Sequence, residues 1–153
     1  MATYTVPTDG PEADGTLTWD TTTAVVVHVQ ADGTSGMGGW TYSSPAAGTV
    51  VIEHLAEVLT GRDPFDITGA WEAMRRSCRN YGTRGLVMQA ISAVDIALWD
   101  LKAKKLLHQP LSEILGQSRC AVKIYGSGGV SLTSTMPGSL DRSNRGRPRG
   151  ARR

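Results

Sequence analysis

The stretch Ala90-Ile91-Ser92-Ala93-Val94-Asp95-Ile96-Ala97-Leu98-Trp99-Asp100-Leu101-Lys102-Ala103-Lys104 sets the terms for the rest of the chain. Ile91, Val94, Leu98 and Leu101 recur at steps of three and four, which is the period of an amphipathic helix. Ala90, Ala93 and Ala97 line a second face with small side chains, so neighbours can approach closely. A helix apolar around most of its circumference belongs at the centre of a domain, and two acids, Asp95 and Asp100, ride on it.

Upstream, residues 2–6, Ala-Thr-Tyr-Thr-Val, alternate polar and apolar and predict a strand. Pro7–Thr16 holds two Asp-Gly steps and little to bury, which predicts a long surface loop. Thr22–Gln30 is β-branched and predicts a strand partly buried on both faces. Ala31-Asp32-Gly33 is a tight turn, and Thr34–Tyr42 returns as a strand loosened by Gly36, Gly38 and Gly39. Together these make an antiparallel three-stranded meander.

After Pro45 the period changes to about 3.6, with Val51, Leu55, Val58 and Leu59 on one face and Gly61 as the stop. A second helix fits Asp66–Tyr81, capped by Asp66, with Ile67, Ala70, Trp71 and Met74 inward and Arg75, Arg76 and Arg79 near its end. The third spans about Gly85 to Leu107, and a short fourth, Leu111–Leu115, follows Pro110. Ala121–Tyr125 again reads as a strand, leading into Gly126-Ser127-Gly128-Gly129. The fold class is therefore α+β: the meander followed by a three- to four-helix bundle.

Composition bounds the function. With 153 residues, 40% hydrophobic and 20% charged, the chain is of globular composition. Its net charge of +2 is misleading, because six of the 16 basic residues lie in the last thirteen positions. Without that tail the body is mildly acidic, which argues against a specific nucleic-acid partner. Cys78 and Cys120 form no metal-binding pattern and fit a reducing cytoplasm. No run approaches the roughly 20 apolar residues of a membrane span.

The order of elements and the central helix together resemble the amino-terminal capping domain of the mandelate racemase/muconate lactonizing group of the enolase superfamily. The resembling signature is Ala-x-Ser-Ala-(aliphatic)-Asp-x-Ala-Leu-Trp-Asp-(aliphatic)-Lys-(small)-Lys, at residues 90–104. Gly61-Arg62-Asp63-Pro64 and Pro110-Leu111-Ser112-Glu113-Ile114-Leu115-Gly116 fall in the family's order, and the resemblance covers roughly residues 2–132. It implies a capping domain over 1–118, the start of a (β/α) barrel over 119–132 with a vestigial first strand, and a disordered Arg-rich tail over 133–153.

In such enzymes a barrel base, usually lysine or histidine, removes the proton α to a carboxylate, and Mg²⁺ bound by three barrel carboxylates stabilises the enediolate. A barrel needs roughly 250 residues, whereas about two dozen remain after Gly129. The resemblance thus implies a chain truncated before the barrel, inactive alone, with no catalytic residue and no metal ligand of its own. Mg²⁺ and a carboxylate or sugar-acid substrate belong to the complete racemase or acid-sugar dehydratase.

Lys102-Ala103-Lys104 mimics the family's Lys-x-Lys bases, but residues two apart on a helix diverge by about 200°, so solvated helix-end charge is favoured. Asp95 and Asp100 likewise diverge, and a hydrogen-bonded structural acid is favoured for each. His28, His54 and His108 are scattered, and Cys78 reads as an inert thiol despite its arginine neighbours. By the resemblance, the substrate-capping loops are Pro7–Thr16 and Trp40–Pro45. Asp9, Glu12 and Asp14 could accept hydrogen bonds from sugar hydroxyls, and Trp40 and Tyr42 could wall a pocket. The alternative is a stand-alone interaction module, self-associating through the exposed barrel-facing surface.

Overall fold

A computed structural model of the chain describes residues 1–124, except Asp14 and Tyr42 and the side chains of Ile52 and Leu107. The residues fall into two units, Met1–Pro7 with Thr21–Ser118 and Thr8–Asp20 with Arg119–Arg153. The expected barrel start from Tyr125 to residue 132 and the tail over 133–153 lie outside the described residues.

Three strands, β1 (Ala2–Ala13), β2 (Thr18–Ala31) and β3 (Thr34–Trp40), form a sheet in the order β1-β2-β3. β2 and β3 pair antiparallel from Val25↔Trp40 to Ala31↔Thr34, leaving a two-residue loop, Asp32-Gly33. Both loop residues have positive φ, 47° and 76°, the conformation in which a hairpin's twist matches its strands and for which Asp-Gly is favoured. Alternation places Val25 and Val27 on the buried face and leaves His28 exposed.

The loop expected over Pro7–Thr16 is instead mostly strand, because β1 continues to Ala13. Gly15 of the second Asp-Gly step lies between β1 and β2, whereas Asp9-Gly10 lies within β1. Pro7 and Pro11 are accommodated because β1 is an edge strand, where a missing N–H leaves no ladder bond unmade on the free side.

Helix α1 (Pro45–Val50) starts with Pro45 in its first turn and Ser44 as the cap, whose hydroxyl accepts from the Ala46 N–H at 3.3 Å. A π-helical stretch, Val51–Leu55, and α2 (Ala56–Leu59) follow without leaving right-handed helical backbone, and Gly61 stands just beyond. Helix α3 (Ile67–Ser77) is capped by Asp66, whose carboxylate accepts from the Gly69 N–H at 3.0 Å. It ends at Ser77 rather than Tyr81, so Arg79 lies beyond the helix. Helix α4 (Leu86–Lys102) passes into a π-helical Ala103–Leu107, and α5 (Leu111–Ile114) follows Pro110. Residues 121–124, expected to begin a strand, have no regular structure. A strand needs a hydrogen-bonded neighbour, and none is present for them among the described residues.

The core gathers on α4. Ala90, Ile91, Ala93, Ala97 and Leu101 are fully buried, as are Leu55, Met74 and Cys78. β3 lies directly on this helix, and its glycines are the reason. A Cβ on Gly36 would stand 2.5 Å from the Leu101 nitrogen and overlap the Ala97 carbonyl oxygen. One on Gly38 would stand 2.6 Å from the Ala97 nitrogen and overlap the Ala93 carbonyl oxygen. These glycines do not loosen β3; they seat it against the helix backbone, opposite the alanines that make room from the other side. Gly38→Ala is expected to lower stability by about 3 kcal/mol, the upper end of overpacking costs, since backbone must move. Gly10→Ala, where an added methyl meets nothing within 4 Å, is expected to change it by under about 0.5 kcal/mol. Urea unfolding of both variants checks the contrast.

Candidate functional site

Of the five residues expected to face substrate, Asp14 and Tyr42 lie outside the described residues. Asp9 is exposed in β1, within the unit formed by Thr8–Asp20 and Arg119–Arg153. Glu12 is half-buried in the same unit, and its Oε2 accepts from Trp19 Nε1 at 2.8 Å. Trp19 was not anticipated as a partner. It stands seven residues on, beyond the turn, and only the pairing of the two strand ends brings the indole back to the acid.

Trp40 belongs to the larger unit. With Ala24, Val25, Val26, Gly39, Thr41 and Ile96 it lines a shallow, largely apolar groove of about 370 Å³ where β3 meets α4. Trp40 is 42% exposed and Ile96 38%. The chain just after Trp40 is held in place, because the Ser43 N–H donates to the Thr23 carbonyl at 3.0 Å and Ser43 Oγ donates to Gln89 Oε1 at 2.9 Å. Val26 and Ile96 escaped the sequence reading because each looked like ordinary packing on its own element.

Asp100 of the central helix, and Lys104 just beyond it, hold β3. Asp100 Oδ2 accepts from the Met37 N–H at 2.7 Å and from Lys104 Nζ at 2.6 Å. Lys104 also donates to the Ser35 carbonyl at 3.3 Å, and Lys105 to the Asp32 carbonyl at 3.1 Å. Lys102 donates to the Phe65 carbonyl and lies 5.5 Å from the Trp99 ring centre. The lysines are therefore tethers rather than simply solvated charge. Partial burial works against Asp100 ionising, but the Lys104 ammonium and the Met37 N–H outweigh it and hold the carboxyl below its usual range. On α3, Arg75 and then Arg76 hydrogen-bond to half-buried Glu72 and hold its carboxyl down to about 2.

Asp95 differs from the expectation of a hydrogen-bonded acid. It is half-buried, burial pushes its carboxyl up, and it has no hydrogen bond or ion pair among the described residues. His54 Nε2 lies 3.0 Å from Ser77 Oγ, which itself donates to the Met74 carbonyl at 2.8 Å. The imidazole is then the donor in that pair, so the serine is not activated, and Cys78 beside it is fully buried.

Among the described residues no three of His, Cys, Asp and Glu gather as metal ligands. Asp100, the best-placed acid of the central helix, already serves an N–H and an ammonium. These residues do not fit a Mg²⁺ site.

A family model described as the mandelate racemase/muconate lactonizing enzyme N-terminal domain matches residues 2–116. The chain belongs to this family. The L-talarate/galactarate dehydratase of Salmonella typhimurium is 39% identical over 108 residues, 69% of this chain and 27% of that protein. Its structure liganded with Mg and L-lyxarohydroxamate matches with a TM-score of 0.64 at 31% identity, over 76% of this chain and 32% of that one. The L-rhamnonate dehydratase of Saccharopolyspora erythraea is 42% identical over 93 residues, 60% of this chain and 23% of that protein. A mandelate racemase/muconate lactonizing enzyme-like protein from Rubrobacter xylanophilus matches with a TM-score of 0.69 at 45% identity, over 73% of this chain and 31% of that one. The chain thus spans about a quarter to a third of the length of these relatives. No helix among the described residues is long and apolar enough to cross a membrane.

Asp95 gives a test of this charge arrangement. The unfolded carboxyl titrates near 3.8 and the folded one higher, so above 3.8 the folded state holds more protons and stability falls as pH rises through that window. Asp95→Asn is expected to match the wild type at low pH and to exceed it at neutral pH, by less than about 1 kcal/mol after solvent screening. Urea midpoints measured across pH check both limbs.

Proposed function

We propose that this chain is the capping portion of a Mg²⁺-dependent acid-sugar dehydratase or racemase of the enolase superfamily, working in the cytoplasm on a carboxylate whose α-proton is removed. Support comes above all from the family match over residues 2–116, joined to relatives that are acid-sugar dehydratases. In this reading the chain supplies no base and no metal ligand. When bound in the complete enzyme, Mg²⁺ supplies electrophilic stabilisation of the enediolate.

The chain's own part is to close over the substrate's distal end and exclude water. Trp40 would present an apolar wall from its groove, to which Tyr42 would add, while Asp9, Glu12 and Asp14 would accept hydrogen bonds from sugar hydroxyls. Glu12 is already oriented by the Trp19 indole, so it would meet a hydroxyl with its carboxylate fixed in place. Residues 119–132 would lead into the barrel.

The 153-residue chain with Mg²⁺ is expected to convert no sugar acid to its 2-keto-3-deoxy product, and turnover by it would overturn the assignment of the chemistry to other residues. Residues 1–118 are expected to replace the matching segment of the Salmonella typhimurium L-talarate/galactarate dehydratase with Mg²⁺-dependent dehydration retained. In that chimera Trp40→Ala is expected to lower kcat/KM by roughly tenfold. A folded, Mg²⁺-binding chimera with no activity on any sugar acid would contradict the capping role.

A further inference from the structure

The two edges of the sheet are treated differently. The outer edge of β3 is closed by side chains from α4 and the π-helical stretch after it: Asp100 takes the Met37 N–H and Lys104 the Ser35 carbonyl, while Lys105 holds the Asp32 carbonyl of the turn before the strand. The outer edge of β1 has no such cover among the described residues. At its start, Met1 and Thr3 lie beside Gly48 of α1. Tyr4 and Val6 are 55% and 53% exposed, and Thr3 and Thr5 are exposed as well. Pro7 and Pro11 block pairing further along, so the open edge is Ala2–Val6.

That segment matches itself. Reversed about Tyr4, Thr3 meets Thr5, Ala2 meets Val6 and Tyr4 meets its own copy, with no charge anywhere in the five residues. Threonine–threonine and aromatic–aromatic pairs across antiparallel strands are favourable, and nothing here repels. A twofold axis through Tyr4 would put each residue of the segment opposite a matching one, the self-complementarity that an isologous contact demands. We infer that a second copy of this chain adds to the sheet through antiparallel β1–β1 pairing centred on Tyr4, joining two three-stranded sheets into one of six. Backbone hydrogen bonds carry the contact, and its short length makes the dimer weak and concentration-dependent. This surface is separate from the Trp40 groove and does not depend on the capping role.

Sedimentation velocity on the full chain from about 1 to about 300 µM, a range bracketing micromolar affinity, tests it. The wild type is expected to pass from monomer to dimer. Tyr4→Lys and Val6→Lys, which bring like charge to the pairing line and leave the β1–β2 ladder in place, are expected to raise the dissociation constant at least tenfold with unchanged circular dichroism. Ile96→Lys, in the groove, is expected to dimerise like the wild type. Amide exchange should show residues 2–6 protected more strongly at high concentration. A wild type that stays monomeric throughout, or lysine variants that still dimerise, would overturn the inference. Loss of dimer in Ile96→Lys alone would place association on the groove instead and overturn it equally.

Discussion

The contact of β3 on α4 is backbone against backbone, and the rest of the larger unit is arranged around it. Gly36 and Gly38 leave no side chain between strand and helix, and Ala93 and Ala97 leave almost none from the helix. Two elements this close must keep their register, because any side chain shifted into the seam meets a carbonyl or an amide rather than a deformable methyl. Val25 and Val27 reach the core from β2 on the same face, and Leu55, Met74 and Ile91 complete it from the helices. A seam so fixed also fixes where β3 ends, and with it the position of Trp40.

Polar groups guard the same seam from its open side. β3 is an edge strand, and an edge strand exposes unpaired amides and carbonyls. Asp100 and Lys104 satisfy two of these groups, at Met37 and Ser35, Lys105 takes the Asp32 carbonyl of the adjoining turn, and Asp100 and Lys104 pair with one another at 2.6 Å. Of the charged residues that look like chemistry in the linear chain, Asp100 and Lys104 are thus engaged in finishing a sheet. An acid already bound to an N–H and an ammonium has little left to offer a metal ion.

Much of this was legible beforehand, and the reason differs by residue. The helices followed from period and punctuation: Pro45 starts one, Asp66 caps the next, and small and aliphatic residues interleave along Leu86–Lys102. The Asp32-Gly33 turn followed from conformational preference alone. The long β1 did not, because Pro7, Gly10 and Pro11 all argue against strand until it is known that β1 is an edge. Among the candidate site residues, Trp40 was visible as an aromatic at a strand end, but its groove partners Val26 and Ile96 sit 14 residues before it and 56 after it in the chain. The Trp19 indole on Glu12 was invisible for the same reason at shorter range.

By itself the sequence determined the family, the three-stranded meander, the helix starts and the central place of α4, since each rests on local pattern, capping and turn chemistry. The tertiary structure alone decided what the glycines of β3 are for, that the lysines after Leu101 are tethers, and, among the described residues, that Asp95 stands half-buried and unpaired and which edge of the sheet carries no side-chain cover. Those properties belong to pairs of residues some 60 positions apart, such as Gly36 with Ala97 or Met37 with Asp100, and no local preference encodes a distance between them.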